Sequence, residues 1–220
     1  MTTSPSHSVD DLILRHAAGA LDAAFALLVE THLDMSPAAR RLSAQFESLG
    51  GALLDEIAPA DVDPDALNRA LQSLDAQTPA APVCATRAAK RLELPKGFEL
   101  PAPLADADIG PWRWIAPGVR SARVALPKPS LSRAFLLEIA PGVRVPRHGH
   151  EGDEATCVLR GGFRDGAAHF GAGDVAHVDE ATEHDILVDP AVPCLCLIAM
   201  EGRTRPASWI GRLYQKFRDI

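Results

Sequence analysis

The feature that most constrains this chain is a set of metal-binding residue types with fixed spacing within residues 142–161. It reads Gly-x5-His-x-His-x3-Glu-x6-Gly and contains His148, His150 and Glu154. Two histidines separated by one residue leave an extended strand on the same face, because side chains alternate between faces. The glycines between and after them allow a tight bend that brings the glutamate back. Since His184 follows a later Gly-Asp turn, three imidazoles and one carboxylate are available to one divalent metal ion.

The composition predicts an ordinary globular protein. The 220 residues are 47% apolar and 23% charged, which fits one large domain or two small ones. No apolar run is long enough to span a membrane, and the N-terminus lacks the basic and apolar regions of a secretory signal. We therefore expect a cytoplasmic protein without a membrane partner. The four cysteines include no Cys-x-x-Cys pair, and Cys194 and Cys196 are expected to share one buried face of a strand.

Residues 1–76 are predicted to form a domain of four helices. Apolar residues recur there at helical spacing in successive segments. Asp22, Ser36 and Asp63 stand where the second, third and fourth helices should begin, and proline follows the last two. Such residues cap the free N–H groups of a first helical turn, so the boundaries follow from local chemistry.

The composition changes after this helical region. Residues 77–91 are rich in alanine and proline and have no apolar period, which predicts a linker. From Leu92 onward the chain reads as short strands separated by glycine and proline, which indicates a β-sandwich or β-barrel over residues 92–220. The last residues return to helical spacing through Trp209, Leu213 and Phe217, so we expect a C-terminal helix. The predicted fold class is α+β, with two domains.

Charge is divided unevenly between the two predicted domains. Residues 1–75 contain twelve acidic residues and four arginines, whereas the remainder contains seventeen acidic and eighteen basic residues. An acidic surface repels phosphate, so direct nucleic-acid binding is not expected. It suits a basic protein partner, although a merely solvated helical surface has the same composition.

The strand-borne histidine pattern resembles the first motif of the cupin family at every fixed position. The second cupin motif is matched in part, since Gly173 and His184 stand at its glycine and histidine. The departures from that motif are Asp179 for proline, Ala181 for glycine and Val188 for asparagine. The resemblance implies a small β-barrel, the double-stranded β-helix, with one divalent metal inside it. The ligands implied by position are His148, His150, Glu154 and His184. Zinc is the expected metal, with iron, manganese and nickel as alternatives.

The N-terminal region resembles the zinc-type anti-sigma domain. His7, His32, Ser36 and Ala39 lie at the spacing of a distal histidine and a His-x3-Cys-x2-Cys group. Serine and alanine occupy the two cysteine positions, and neither side chain replaces a thiolate ligand. We therefore expect this domain to fold without zinc, with Ser36 as a helix N-cap and His32 packed near the helix junction.

With both domains in this order, nearly the whole chain is similar to the ChrR-type anti-sigma factors. The resemblance implies that the protein sequesters an extracytoplasmic-function sigma factor, as a monomer in that complex or as a homodimer. It also implies release of the sigma factor in response to singlet oxygen or a related oxidant, involving the cupin metal. The alternative is a dioxygenase-like cupin metalloenzyme with a helical appendage. The missing cysteines favour that alternative, whereas the lack of a clear general base beside the ligands does not.

Overall fold

The computed structural model of the chain describes residues 9–76, 92–95, 97–126 and 130–206. Helices dominate the N-terminal part and antiparallel strands the C-terminal part, which confirms the predicted α+β class. The helices are α1 (Val9–Ala17), α2 (Ala23–Met35), α3 (Pro37–Asp55), α4 (Ala66–Ala76) and α5 (Ala102–Ala105). The strands are β1 (Arg113–Ala116), β2 (Val119–Val124), β3 (Arg133–Ile139), β4 (Arg144–His150), β5 (Glu154–Arg160), β6 (Gly162–Asp165), β7 (Ala168–Gly171), β8 (Val175–Val178), β9 (His184–Val188), β10 (Cys194–Met200) and β11 (Thr204–Pro206). The predicted linker at 77–91 and the predicted C-terminal helix lie outside the described residues. None of the described helices has the length and hydropathy needed to cross a membrane.

The predicted helix caps are confirmed for α2 and α3. The carboxylate of Asp22 accepts a hydrogen bond from the backbone N–H of Ala23 at 2.7 Å. The hydroxyl of Ser36 accepts one from the N–H of Ala39 at 3.3 Å, and proline holds the first position of α3. The fourth helix begins only at Ala66, because the side chain of Asp63 closes a turn by accepting the N–H of Asp65 at 2.8 Å.

The strands form two packed sheets, as expected for a cupin barrel. The six-stranded sheet has the order β1-β2-β3-β10-β5-β8, and the five-stranded sheet has the order β11-β4-β9-β6-β7. Every pairing is antiparallel. The buried cluster between the sheets joins Val158 and Ile198 of the first sheet to Phe163 and Ile186 of the second. Cys194 and Cys196 share this interior face as predicted, with their Sγ atoms 3.5 Å apart.

The prediction of strands directly after Leu92 is wrong. The described residues before β1 form α5, loops and one isolated bridge from Ile109 to Val124. Prolines recur through this stretch, and each removes a backbone donor that a strand would need.

Helices α1 and α2 pack on the outer face of the six-stranded sheet, and α3 packs against both of them. Apolar side chains of α1 and α2, including Leu12, Phe25 and Leu28, share one buried cluster with Leu136 of β3 and Leu197 of β10. This explains why β10 is buried at every position. Its continuous apolar sequence faces the barrel interior on one side and the helices on the other.

The end of α3 and the whole of α4 are not part of this packing. Large apolar side chains are exposed there, in a set that we call the α3–α4 apolar face. Its members are Leu49, Leu53, Leu54, Ile57, Leu67, Leu71 and Leu74. The predicted apolar stripe of α4 therefore exists, but within the described chain it covers nothing. Leu67, for example, is 68% exposed.

Candidate metal centre

The three histidines predicted as ligands lie together inside the barrel. His148 and His150 end β4, and His184 begins β9, directly opposite His148 in the antiparallel register. One ligand atom from each ring lies within 4.8 Å of the other two. The ring centroids of His148 and His184 are 4.5 Å apart, and those of His150 and His184 are 5.3 Å apart. Strand alternation places the first two rings on one face, and strand pairing adds the third.

The hydrogen bonds of these rings determine which nitrogen is free for a metal. The Nδ1 of His148 is 2.8 Å from the carbonyl oxygen of Pro146, and the Nδ1 of His184 is 3.0 Å from Oδ2 of Asp165. The Nδ1 of His150 is 3.4 Å from Oε2 of Glu154. Because the Nδ1 atoms of His148 and His184 lie within hydrogen-bond distance of oxygen acceptors, Nδ1 carries the proton in these two rings when they are neutral. Their Nε2 atoms then carry the lone pairs that could coordinate a cation.

Two of the ring nitrogens lie at a distance that fits either a shared proton or a metal ion. The Nε2 atoms of His150 and His184 are 3.1 Å apart. Two lone pairs at that distance repel each other unless a proton or a metal ion lies between them. Burial, together with the neighbouring His184, lowers the pKa of His148 and favours its neutral, ligating form. The donor set therefore fits a divalent metal of the kind that takes imidazole ligands.

Glu154 stands behind His150 and not beside the three Nε2 atoms. Its carboxylate contacts Nδ1 of His150, and Oε1 lies 3.5 Å from the hydroxyl of Thr156. Burial raises the pKa of Glu154 to about 7, although His184 and Thr156 oppose that shift. In this position Glu154 lies against Nδ1 of His150, and its role as a fourth ligand stays a prediction.

Asp165 is a functional candidate that sequence reasoning missed. Burial alone would lower the pKa of His184, but the hydrogen bond to Asp165 and the nearby carboxylates outweigh burial and raise it. A carboxylate that accepts the second ring N–H of a ligating histidine fixes its tautomer and orientation. Asp165 reaches this position because β6 pairs with β9, and no spacing in the sequence marks that pairing.

Three of the N-terminal positions that resemble a zinc site make structural contacts in the described part of the chain. His32 is buried, and its Nδ1 lies 2.8 Å from the carbonyl oxygen of Gly173, in the turn before β8. Burial lowers the pKa of His32, against the effect of that hydrogen bond and of Asp174, so the ring is neutral and donates through Nδ1. Ala39 is buried in the core. Ser36 caps α3 as predicted, whereas His32, expected near the helix junction, contacts the barrel turn at Gly173. His7 lies outside the described residues, and the absence of zinc here stays a prediction.

Comparison with known proteins identifies the family. Residues 103–201 match the family model described as the ChrR cupin-like domain. The sequence is 37% identical to the anti-sigma-E factor ChrR of Cereibacter sphaeroides over 220 residues, which covers 97% of this chain and 98% of that protein. This chain belongs to the ChrR family of anti-sigma factors. The predicted family and the cupin-like fold are therefore confirmed.

A solved structure shows that the likeness of this ChrR family member extends to its architecture. The fold matches the crystal structure of Rhodobacter sphaeroides SigE in complex with the anti-sigma ChrR, with a TM-score of 0.67 and 33% identity. That match covers 90% of this chain and 100% of the other. The fold of this chain therefore follows that of the solved ChrR over nearly its whole length.

Proposed function

We propose that this chain sequesters an extracytoplasmic-function sigma factor in the cytoplasm, as a monomer in a complex of the two proteins. The observation that carries this proposal is the near full-length likeness to a ChrR protein whose structure was solved with SigE. Sequestration requires a surface that the free protein leaves available. The α3–α4 apolar face offers such side chains, since large exposed apolar patches mark interaction sites.

The chemistry of this face fits a helical, basic partner. Leu67, Leu71 and Leu74 lie on one side of α4, and their exposed fractions are 68%, 50% and 62%. Carboxylates such as Asp55 and Glu56 lie at the end of α3, in a half of the chain with an acidic excess. An apolar centre with a charged rim is the usual anatomy of a specific interface.

The test is a direct binding measurement with an extracytoplasmic-function sigma factor from the same genome. Leu71→Asp should abolish co-purification, because it places a charge in the centre of the apolar contact. The matched control is Leu131→Asp, which adds the same charge at a side chain that is 96% exposed on the β2–β3 connection. Retained binding by Leu71→Asp would refute the proposed face, and loss in both variants would show that added charge acts nonspecifically.

We further propose that the barrel binds one divalent cation through His148, His150 and His184, with Glu154 as the fourth ligand after a side-chain rotation. Zinc is the expected ion, with iron, manganese and nickel as alternatives. A bound zinc ion would join β4 to β9 and neutralise the buried carboxylate. Four protein ligands fill a zinc tetrahedron and leave no position for a substrate, which favours a regulator over the metalloenzyme alternative.

Elemental analysis tests the metal proposal without any functional assay. The purified full-length protein should contain one equivalent of metal, and His184→Ala should lose it. The surface variant His169→Ala is the control, because His169 pairs with Asp189 on the outside of the barrel. A full equivalent of metal in His184→Ala would place the ion elsewhere.

Release of the sigma factor by singlet oxygen or a related oxidant is the regulatory part of the proposal. Strands β5 and β10 face the barrel interior on one side and contact α2 on the other. Loss of the metal or oxidation of a ligand would therefore loosen the surface on which the helices rest. If His148→Ala leaves the transcriptional response to singlet oxygen unchanged, the cupin site has no part in signalling.

A further inference from the structure

Helix α3 changes from an anchored helix to an exposed one part-way along its length. In its first half Ala39 and Ser43 are buried, and Phe46 packs against the core that the helices share with the sheet. From residue 47 to residue 74 every residue is exposed, apart from the half-buried Ala66. We call residues 47–74 the exposed arm. It holds the second half of α3, most of α4 and the whole α3–α4 apolar face.

The side-chain contacts of α4 are local to the arm. Nη1 of Arg69 is 3.1 Å from Oδ2 of Asp63, and the hydroxyl of Ser73 donates to the carbonyl oxygen of Ala70 at 2.7 Å. An exposed ion pair of this kind contributes little to stability. Helices shorter than about 12–15 residues are marginal in water unless tertiary packing supports them, and α4 has 11 residues. The arm therefore lacks the burial that usually offsets the conformational entropy of an ordered chain.

Two successive glycines, Gly50 and Gly51, weaken α3 close to the point where the arm leaves the anchored half. Neither glycine has the positive φ that favours this residue type. Among the described residues beyond the adjoining turns of α3, no heavy atom lies within 4 Å of the position that a Cβ atom would take at either one. Neither backbone conformation nor close packing thus requires glycine here. What the pair does physically is to lower the helical stability of α3 at this point.

We propose that Gly50 and Gly51 keep the exposed arm only partly helical in the free protein, and that the arm folds onto the sigma factor as the two proteins bind. This inference rests on the proposed function, since the partner supplies the apolar surface that the arm lacks. The entropy lost when the arm becomes ordered is subtracted from the affinity of the complex. The glycine pair therefore limits that affinity and makes the sigma factor easier to release.

Hydrogen exchange of the full-length protein, followed by mass spectrometry, tests the state of the arm. In the free protein the amides of residues 49–74 should exchange rapidly while those of α2 are protected, because only α2 is packed against the sheet. Addition of an extracytoplasmic-function sigma factor from the same genome should protect the arm. Protection of the arm equal to that of α2 in the free protein would overturn the inference and leave the proposed function intact. Binding without new protection in the arm would also overturn it, whereas a lack of any binding would refute the proposed function itself.

The glycine pair is tested by the double variant Gly50→Ala and Gly51→Ala. It should increase the helical circular dichroism of the free protein and tighten sigma-factor binding by about 5- to 30-fold, because alanine favours a helix over glycine at each position. The reverse change at an exposed site of the arm, Ala52→Gly, should weaken binding by about 2- to 5-fold.

Ala44→Gly is the matched control, because Ala44 is also exposed but lies in the anchored half of α3. It should lower the Tm without changing exchange in the arm or the affinity for the sigma factor. Unchanged or weaker binding by the double alanine variant would overturn the role of the glycines, and so would an equal loss of affinity in Ala44→Gly and Ala52→Gly.

Discussion

Asp22 joins the helical part to the start of β3 by hydrogen bonds to Ser132, and its replacement gives a quantitative test of that junction. One carboxylate oxygen caps α2 by accepting the N–H of Ala23 at 2.7 Å. The other accepts the backbone N–H of Ser132 at 2.8 Å and its hydroxyl at 2.7 Å. In Asp22→Asn the amide oxygen still caps the helix, but an NH₂ group then faces two donors. Since hydrogen bonds to a charged group contribute about 1.5–3 kcal/mol, we expect a loss of about 2–3 kcal/mol in the free energy of unfolding.

The same contacts predict the pH dependence of that loss. Burial raises the pKa of Asp22, but the hydrogen bonds from Ser132, Ser130 and the N–H of Ala23 outweigh burial and hold the pKa well below its ordinary value. A carboxyl whose pKa is depressed by folding stabilises the native state above its unfolded pKa, about 3.9, and this contribution disappears as the pH falls toward the folded pKa. The difference between wild type and Asp22→Asn should therefore be largest near neutral pH and decrease below about pH 4.

Thermal and urea denaturation of the full-length protein, followed by circular dichroism, measures this effect. For a chain of this size, 2–3 kcal/mol corresponds to a decrease in Tm of about 4–12 °C. Asp22→Ala should lose about 1 kcal/mol more because the helix cap is also removed. Asp11→Asn, an exposed change of the same charge in the first turn of α1, is the control. A stability for Asp22→Asn within about 0.5 kcal/mol of wild type at pH 7 would refute the reasoning.

Three further predictions concern the core, the helix cap and the metal. Leu28→Ala should destabilise the protein by about 2–5 kcal/mol, since Leu28 is fully buried between α2 and the sheet; a calorimetric change below about 1 kcal/mol would show that the helices do not depend on this contact. Ser36→Ala should shift the urea midpoint by an amount equivalent to about 1 kcal/mol, whereas Ser36→Asp should retain stability because aspartate also caps helices. Asp165→Asn should weaken zinc binding by about 10–100-fold in a chelator competition, and equal affinity of the variant and wild type would mean that Asp165 does not orient His184.

Several elements could be read correctly from the sequence because they depend on neighbouring residues. The caps at Asp22 and Ser36 involve atoms within three positions along the chain, so the residue type and the following proline were sufficient. The pair His148 and His150 required only strand alternation. Such local rules were weaker before β1, where repeated prolines prevented the predicted strands.

The tertiary structure decided the features that depend on contacts between residues far apart in the chain. Periodicity predicted the stripe of α4 and the stripe of α2 in the same way, yet Leu28 is buried and Leu67 is exposed, because only α2 meets the sheet. Asp165 orients His184 because β6 lies beside β9. His32, expected near a helix junction, contacts the turn at Gly173 in the barrel. The amino-acid sequence determines the local backbone preferences and which side chains are present. Which of them become buried, and which strands pair, follows from how two sheets and three helices pack into shared cores.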